Sequence, residues 1–455
     1  MGSEDIKSEI RRFLDLEKNE KEEFAYKIIE TLEKYKHKNI FITLEKYEKI
    51  VEAIKKGKIV YSVKDNIVTK NFRTTAGSLI LKDYYSGFDA YIIRNISTKL
   101  NGEVIGKTNM DEFGFGTFGI NSAYGITKNA FDNSLVSGGS SSGSGVYSQI
   151  FPFFSVAEST GGSITSPAAF NGIIGFTPTY GLISRFGLIS YANSLDKIGF
   201  FTRNPYDLEL LVKNISKDER DPTNHAKLNR PKKISKIAII REMTSNNNKQ
   251  FYNFINRIQN NFNIQIDEVS FKELEFAIPC YYIISTAEAS TNLNKFCGLR
   301  YSNIEKPWLY SYNDYFKMIR TKYFGEEAKR RIILGTFVRM YGFKDKYYIK
   351  ALKVRTSIIN GFKQILNKYD AIAAPSMPIK PLSIKKVKKL KPIQHYMIDK
   401  LTIPPNLAGL PQLSYPISID SGVQFITDHY NDLSLIEFSK QLYEIKAIKY
   451  VKKWF

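Results

Sequence analysis

Two clusters of small residues between Ser137 and Asn171 have the make-up of a reaction centre. They are Gly138-Gly139-Ser140-Ser141-Ser142-Gly143-Ser144 and Thr160-Gly161-Gly162-Ser163. Glycines in such runs let the backbone turn sharply and bring successive N–H groups close to a ligand. Hydroxyls on the same turns serve as nucleophiles or proton carriers when a base is near. A Gly/Ser stretch is by default a flexible linker. Here, however, the clusters bracket Ile150, Phe151, Phe153, Phe154 and Val156, which call for burial. A phosphate cradle is disfavoured, because no Gly-Lys-Ser/Thr follows the first cluster and no G-x-G-x-x-G closes it.

Opening an amide takes a nucleophile, a base that returns the proton to the leaving nitrogen, and donors for the oxyanion. The chain has four histidines, His37, His225, His395 and His429, none in a glycine-rich turn or beside a candidate nucleophile. Nothing in the sequence therefore supports a Ser-His-Asp triad. A neutral lysine can do the same work, because burial lowers its pKa and a second hydroxyl can shuttle the proton. Lys64 is the attractive choice: it ends the apolar run 59–63 and is followed by Asp65 and Asn66, which can hold it. By residue type alone, a surface lysine at a strand end is the plainer reading.

The elements that must position these groups alternate between short strands and helices. The pattern predicts a helix over 3–35 with Ser3 as N-cap and Glu4 and Asp5 in its first turn, then a strand over 59–63. A helix capped by Asp89 runs to Leu100, a strand covers 103–106, and a helix starts at Pro205 and runs to about Ile215. Strands over 237–240 and 264–266 flank a helix; a helix-rich part covers 271–368, and a strand 371–374 follows. Core strands and turns are expected over 402–416 and 423–426, closed by a helix over 433–445. This is an α/β pattern with a mixed sheet. One domain is expected, comprising an N-terminal helical region (1–58), a catalytic core (59–217), a polar surface connection (218–236) and a helix-rich remainder (237–455) that completes the sheet and pocket.

The bulk numbers bound the function. A net charge of +21 suits a protein that works beside an anion such as RNA. A codon-usage habit that scatters Lys, Ile, Asn and Tyr everywhere explains it equally well. The densest run, 385–391, reads as a solvated loop or partner-facing segment. Cys280 and Cys297 are the only cysteines, which argues against a disulfide framework or a zinc site and for a reducing compartment. No apolar run is long enough to span a bilayer, and the first residues mix acids with bases, unlike a transit or secretory leader.

Read in order, Val63-Lys64-Asp65-Asn66, Gly138-Gly139-Ser140-Ser141, Thr160-Gly161-Gly162-Ser163-Ile164 and Pro167-Ala168 resemble the amidase signature family, over nearly the whole chain. The resemblance implies an α/β amidase-signature fold, a central mixed β-sheet covered by helices on both faces. It also implies a Ser–Ser–Lys triad with one serine in a cis peptide. In that triad Ser163 is the nucleophile, Ser140 the bridge and Lys64 the base, with Thr160, Gly161, Gly162 and Ser163 as oxyanion donors.

Further words are similar to the branch of the family that hydrolyses glutamine for tRNA-dependent amidation. They are Thr108-Asn109-Met110-Asp111-Glu112-Phe113, Asn121-Ser122-Ala123-Tyr124-Gly125, Lys329-Arg330-Arg331-Ile332-Ile333-Leu334-Gly335-Thr336, Lys353-Val354-Arg355 and the run from Thr402 to Pro411. The resemblance then implies glutamine as substrate and ammonia passed to a B-type partner. That partner uses ATP and Mg to amidate misacylated glutamyl-tRNA(Gln) or aspartyl-tRNA(Asn). A small C-type partner is also implied, with no cofactor, metal or membrane in this chain, in a cytoplasm or else a mitochondrial matrix or plastid.

For glutamine, the resemblance places Arg355 at the α-carboxylate, Asp399 at the α-ammonium, and Tyr301 and Gly139 as walls. Departures from the family words are Ser159 for Asp, Lys197 for Gln, Phe200 for Pro and Ser142 for Gly, with a shortened segment between the serines and an abbreviated N-terminal region. The rival readings are a stand-alone amidase on another small amide and a non-catalytic RNA-associated protein.

Overall fold

The computed structural model describes residues 7–244, 248–301, 307–445 and Trp454. Eleven strands form one mixed sheet: β1 (Phe41–Leu44), β2 (Ile59–Lys64), β3 (Gly102–Thr108), β4 (Phe154–Ser159), β5 (Ile174–Thr177), β6 (Lys197–Thr202), β7 (Lys236–Ile240), β8 (Gln265–Val269), β9 (Ala371–Pro375), β10 (Gln412–Ser418) and β11 (Ser421–Ile426). Their spatial order is β1-β3-β2-β4-β6-β5-β10-β11-β9-β7-β8. Pairings β2/β3, β2/β4, β7/β8 and β7/β9 are parallel and the rest antiparallel.

Every residue of β2, β4, β5, β6 and β9 is buried. Strands buried on both faces read as continuous apolar runs, as in Ile-Gly-Phe-Thr and Ala-Ile-Ala-Ala-Pro, and they require helices above and below the sheet. The architecture is the expected α/β one, with a mixed sheet.

Several elements differ from expectation for local reasons. Ser3, Glu4 and Asp5 lie outside the described residues. Beyond them the predicted single helix is two, Glu9–Leu14 and Lys18–Tyr35. Ser8 Oγ caps the first by accepting from Arg11 N at 3.2 Å. Glu17 opens the second, and its N–H donates to Glu20 Oε2 at 2.7 Å. Asp89 does not cap the helix Tyr91–Leu100: Ala90 holds that place, and Asp89 Oδ1 accepts from Lys70 N at 2.7 Å. Part of the stretch expected as returning strand is instead the short helix Ile403–Leu407, which precedes β10.

The connection after residue 217 is polar because it is tied down. Asp218 accepts from Ser184 Oγ at 2.7 Å, and Asp221 from Arg185 N at 2.8 Å. In the basic run, residues Ile384–Val387 are helical and Val387 is buried, so only part of the segment is solvated.

Candidate active site

β2 and β4 run parallel side by side, and the site lies where both end. Lys64 is the last residue of β2, and its side chain is fully buried. The first Gly/Ser cluster turns just before the helix Ser142–Ile150, and the Gly139–Ser140 peptide is cis. The second cluster leaves the end of β4 and enters the short helix Thr165–Phe170. Ser141 clips the two turns together: its N–H donates to Ser163 O at 3.3 Å and its hydroxyl to Glu158 O at 3.1 Å.

The result is a linear hydrogen-bonded chain. Lys64 Nζ lies 2.7 Å from Ser140 Oγ, and Ser140 Oγ lies 2.9 Å from Ser163 Oγ. Lys64 and Ser140 are closed off from solvent, whereas Ser163 is 7 % exposed and faces a cleft. Among the described residues, the backbone N–H groups of Gly161, Gly162 and Ser163 donate to no protein acceptor. Unspent N–H groups beside a hydroxyl are the arrangement an oxyanion needs. Thr160 directs its hydroxyl inward, to Glu158 and Asp196.

Asp111 holds the first turn in place. Its carboxylate accepts from Gly119 N at 3.0 Å and Asn121 N at 2.7 Å, while its own N–H donates to Ser140 O at 3.1 Å. Burial pushes its pKa up to about 6, partly offset by those N–H donors. A Cβ at Gly139 would stand 2.1 Å from Asp111 Oδ2, which is why a glycine is needed there.

The cleft at Ser163 is lined by Gly114, Gly139, Gly162, Tyr281, Arg331 and Asp399, among others. Asp399 Oδ2 accepts from Thr117 Oγ1 at 2.6 Å, whereas Oδ1 is buried with no partner. Burial pushes Asp399 up to about 7, against the opposing pull of Thr117 and of the Arg331 charge. Arg331 rises from the helix Glu326–Arg339. Its Nε donates to Glu327 Oε1 at 2.8 Å and its Nη1 to the Tyr191 hydroxyl. The guanidinium lies 5.2 Å from the Tyr282 ring centre and 5.1 Å from that of Phe115. Among the described residues Nη2 has no protein partner. Arg331 and Asp399, each with one unpartnered polar atom, therefore line the same cleft as Ser163.

Two expected pocket residues lie elsewhere. Arg355 does not reach the cleft, because its guanidinium is consumed by Leu407 O at 2.8 Å, Ser194 Oγ at 2.9 Å and Ser194 O at 2.8 Å. Ser194 in turn lines a separate cleft, with Arg339 and Lys344, that contains none of the three linked side chains. Tyr301 packs edge-on between Tyr84 and Phe296 and is not among the residues that line the cleft at Ser163. Arg331 was legible only as part of a basic word. Its spacing from Glu327 is that of an ordinary helix-surface pair, and that pair does form.

The departures also have physical settings. Ser159 lies opposite Lys197 across the β4/β6 ladder, so two of the changed positions are cross-strand neighbours. Lys197 is buried, donates to Leu410 O at 2.8 Å, and is pushed down to about 7 by burial. Phe200 sits within the fully buried β6, opposite Val156 of β4. Among the described residues, no group of three or more His, Cys, Asp or Glu is arranged to hold a metal ion.

The family model described as Amidase matches residues 26–436, and the chain belongs to that family of enzymes. More particularly, it is 39 % identical over 454 residues to the glutamyl-tRNA(Gln) amidotransferase A subunit of Sulfolobus acidocaldarius, covering 93 % of this chain and 94 % of that one. It is 40 % identical to the protein of the same name from Archaeoglobus fulgidus, covering 88 % and 91 %. Among solved structures, the glutamyl-tRNA(Gln) amidotransferase A subunit of Thermotoga maritima superposes with a TM-score of 0.77 at 30 % identity, covering 94 % of this chain and 92 % of that one. The allophanate hydrolase of Kluyveromyces lactis shares the fold, with a TM-score of 0.79 at 22 % identity.

Proposed function

We propose that this chain is the glutaminase component of a tRNA-dependent amidotransferase, working through Ser163, Ser140 and Lys64. The observation that carries the reading is the unbroken chain from Lys64 Nζ to Ser163 Oγ, opening on a cleft lined by Arg331 and Asp399, each with one polar atom that has no protein partner among the described residues. An α-amino acid presents the complementary pair, so Arg331 Nη2 receives the α-carboxylate and Asp399 Oδ1 the α-ammonium.

In this reading Ser163 Oγ attacks the side-chain amide carbon of glutamine while its proton passes to Ser140, whose own proton passes to the Lys64 amine. The oxyanion is received by the N–H groups of the Thr160–Ser163 turn. The proton returns along the same path to the departing nitrogen, leaving ammonia and a glutamyl ester on Ser163. Water, deprotonated by the same relay, opens the ester and releases glutamate.

The ammonia then travels to a B-type partner. With ATP and Mg, that partner amidates glutamyl-tRNA(Gln), or aspartyl-tRNA(Asn), and a small C-type partner completes the complex. The names of the relatives favour the glutamyl substrate. Cys280 and Cys297 are both free thiols, in keeping with a reducing cytoplasm.

The test is glutamine hydrolysis by the chain assembled with its partners. Ser163→Ala and Lys64→Ala should each lower kcat by about 10⁴-fold or more, because the members of such a relay act as a unit. Equal turnover of unrelated small amides would point instead to a stand-alone amidase. Unchanged amide hydrolysis in Ser163→Ala would remove the reading.

A further inference from the structure

Lys64 Nζ touches three acceptors: Ser140 Oγ at 2.7 Å, and the carbonyl O and Oε2 of Glu158, both at 2.9 Å. An ammonium donates to all three. An amine has two hydrogens, which satisfy the two Glu158 oxygens and leave a lone pair for the Ser140 proton. The relay therefore works only when Nζ is uncharged. Among the described residues, Glu158 is the only ionisable side chain bonded to it.

Behind Glu158 stands a second acid. Thr160 Oγ1 lies 2.7 Å from Glu158 Oε1 and 2.8 Å from Asp196 Oδ1. A hydroxyl carries one hydrogen, so it can donate to only one of two carboxylates. The other contact is a hydrogen bond only if that carboxyl carries a proton and donates it to Oγ1. The remaining neighbours are donors: Tyr191 N at 2.9 Å to Asp196 Oδ2, Ala192 N at 3.0 Å to Oδ2 and 3.1 Å to Oδ1, and Asn66 Nδ2 at 3.0 Å to Glu158 Oε2. Burial, and then the charge of Glu158, push the Asp196 carboxyl well above its usual range.

We propose that Glu158 and Asp196 share one proton through the Thr160 hydroxyl, and that its position decides whether Lys64 is ammonium or amine. This rests on the reading of Lys64 as the base. With the proton on Asp196, its O–H donates to Thr160 Oγ1, Thr160 donates to Glu158 Oε1, and a carboxylate faces the ammonium. In the alternative state the Asp196 proton moves to Thr160 Oγ1 as the Thr160 proton moves to Glu158 Oε1. Thr160 ends as it began, the negative charge retreats to Asp196, and Lys64 loses its adjacent anion. Arg185 and Tyr180 face Asp196 from the segment after β5, and the Arg185 charge favours the ionised acid there. Asp111 faces Lys64 from the segment after β3. Glu158 and Asp196 are thus positioning residues that act through the base.

The test is the pH dependence of Ser163 phosphonylation by a fluorophosphonate, alongside glutamine kcat and KM, in the assembled complex. Glu158→Gln removes the anion beside Lys64, so the acid limb of reactivity should move to lower pH by about one unit. Asp196→Asn removes the site to which the charge retreats and leaves Glu158 a carboxylate, so the limb should move to higher pH by about the same amount. KM for glutamine should stay within about twofold in both, since neither residue lines the cleft. Opposite shifts are something a merely structural role would not produce, and a shift in one variant with none in the other overturns the proposal. Unshifted limbs, or shifts in the same direction, overturn it. Wild-type protein that is labelled no faster than Ser163→Ala would overturn the underlying catalytic reading as well, which separates the two failures.

Discussion

Ser163 is set apart from the other hydroxyls of the two clusters by its partners. Ser141 and Ser142 spend their hydroxyls on the carbonyls of Glu158 and Asn109, while the Ser163 hydroxyl meets only that of Ser140, at 2.9 Å, among the described residues. At the same scale, Arg331 and Asp399 give separable predictions. Arg331→Lys keeps the charge but loses the planar guanidinium that divides its donors among Glu327, Tyr191 and the substrate, so KM for glutamine should rise by about 10- to 100-fold with a smaller change in kcat. An equal KM in steady-state kinetics would remove Arg331 from the pocket. Asp399 is held up to about 7 by burial, so below that pH it is protonated and cannot pair with an incoming ammonium. The sign is therefore a KM that rises as pH falls through about 7, by roughly tenfold per pH unit. Asp399→Asn should flatten that dependence while raising KM overall.

The turns and helices that carry these residues have almost no slack. A Cβ at Gly162 would lie 2.4 Å from Thr402 Oγ1 and 3.1 Å from Asp399 Oδ1. Gly162→Ala should therefore push the Thr160–Ser163 turn off the segment 399–402 and cost kcat and KM together, a loss that kinetics on the folded variant would show. The helix Glu326–Arg339 meets the helix Ala277–Asn292 at Gly335, where a Cβ would stand 1.8 Å from Thr286 O. That close approach brings Arg331 to the hydroxyl of Tyr191 and the ring of Tyr282. Gly335→Ala should force the helices apart, destabilise the fold by about 1–3 kcal/mol and raise KM. A lowered Tm with unchanged KM would mean that the helix spacing does not position Arg331.

Across the whole molecule, strands β1 to β6 from the first half of the chain form one side of the sheet and β7 to β11 the other, joined where β5 meets β10. Lys64, Ser140 and Ser163 all come from the first half, whereas Arg331 and Asp399 come from the second. Residues 1–217 produced alone should therefore fail to hydrolyse glutamine although the three linked residues are all present. The exposed edge of β5 should also make the fragment associate, visible in light scattering. An active, monomeric fragment would show that the first half folds and binds substrate by itself.

By itself the sequence determined the parts whose roles depend on local geometry. The apolar segment between the glycine runs had to be buried and the run 59–63 had to be a strand ending at Lys64, because each follows from apolar periodicity over a few residues. By contrast, the end of the first run, Ser142, Gly143 and Ser144, opens a helix rather than a turn. Only the tertiary structure decided which arginine reaches the cleft. Arg331 and Arg355 sit on similar helices, and nothing within a few residues of either says which guanidinium will find backbone carbonyls and which will keep a donor free. The same holds for Glu158 and Asp196. They are 38 residues apart, and they meet only because β4 and β6 pair in a register that sets Glu158 opposite Ile198. Pairing between distant strands fixes such contacts, and it is settled by the packing of the whole sheet.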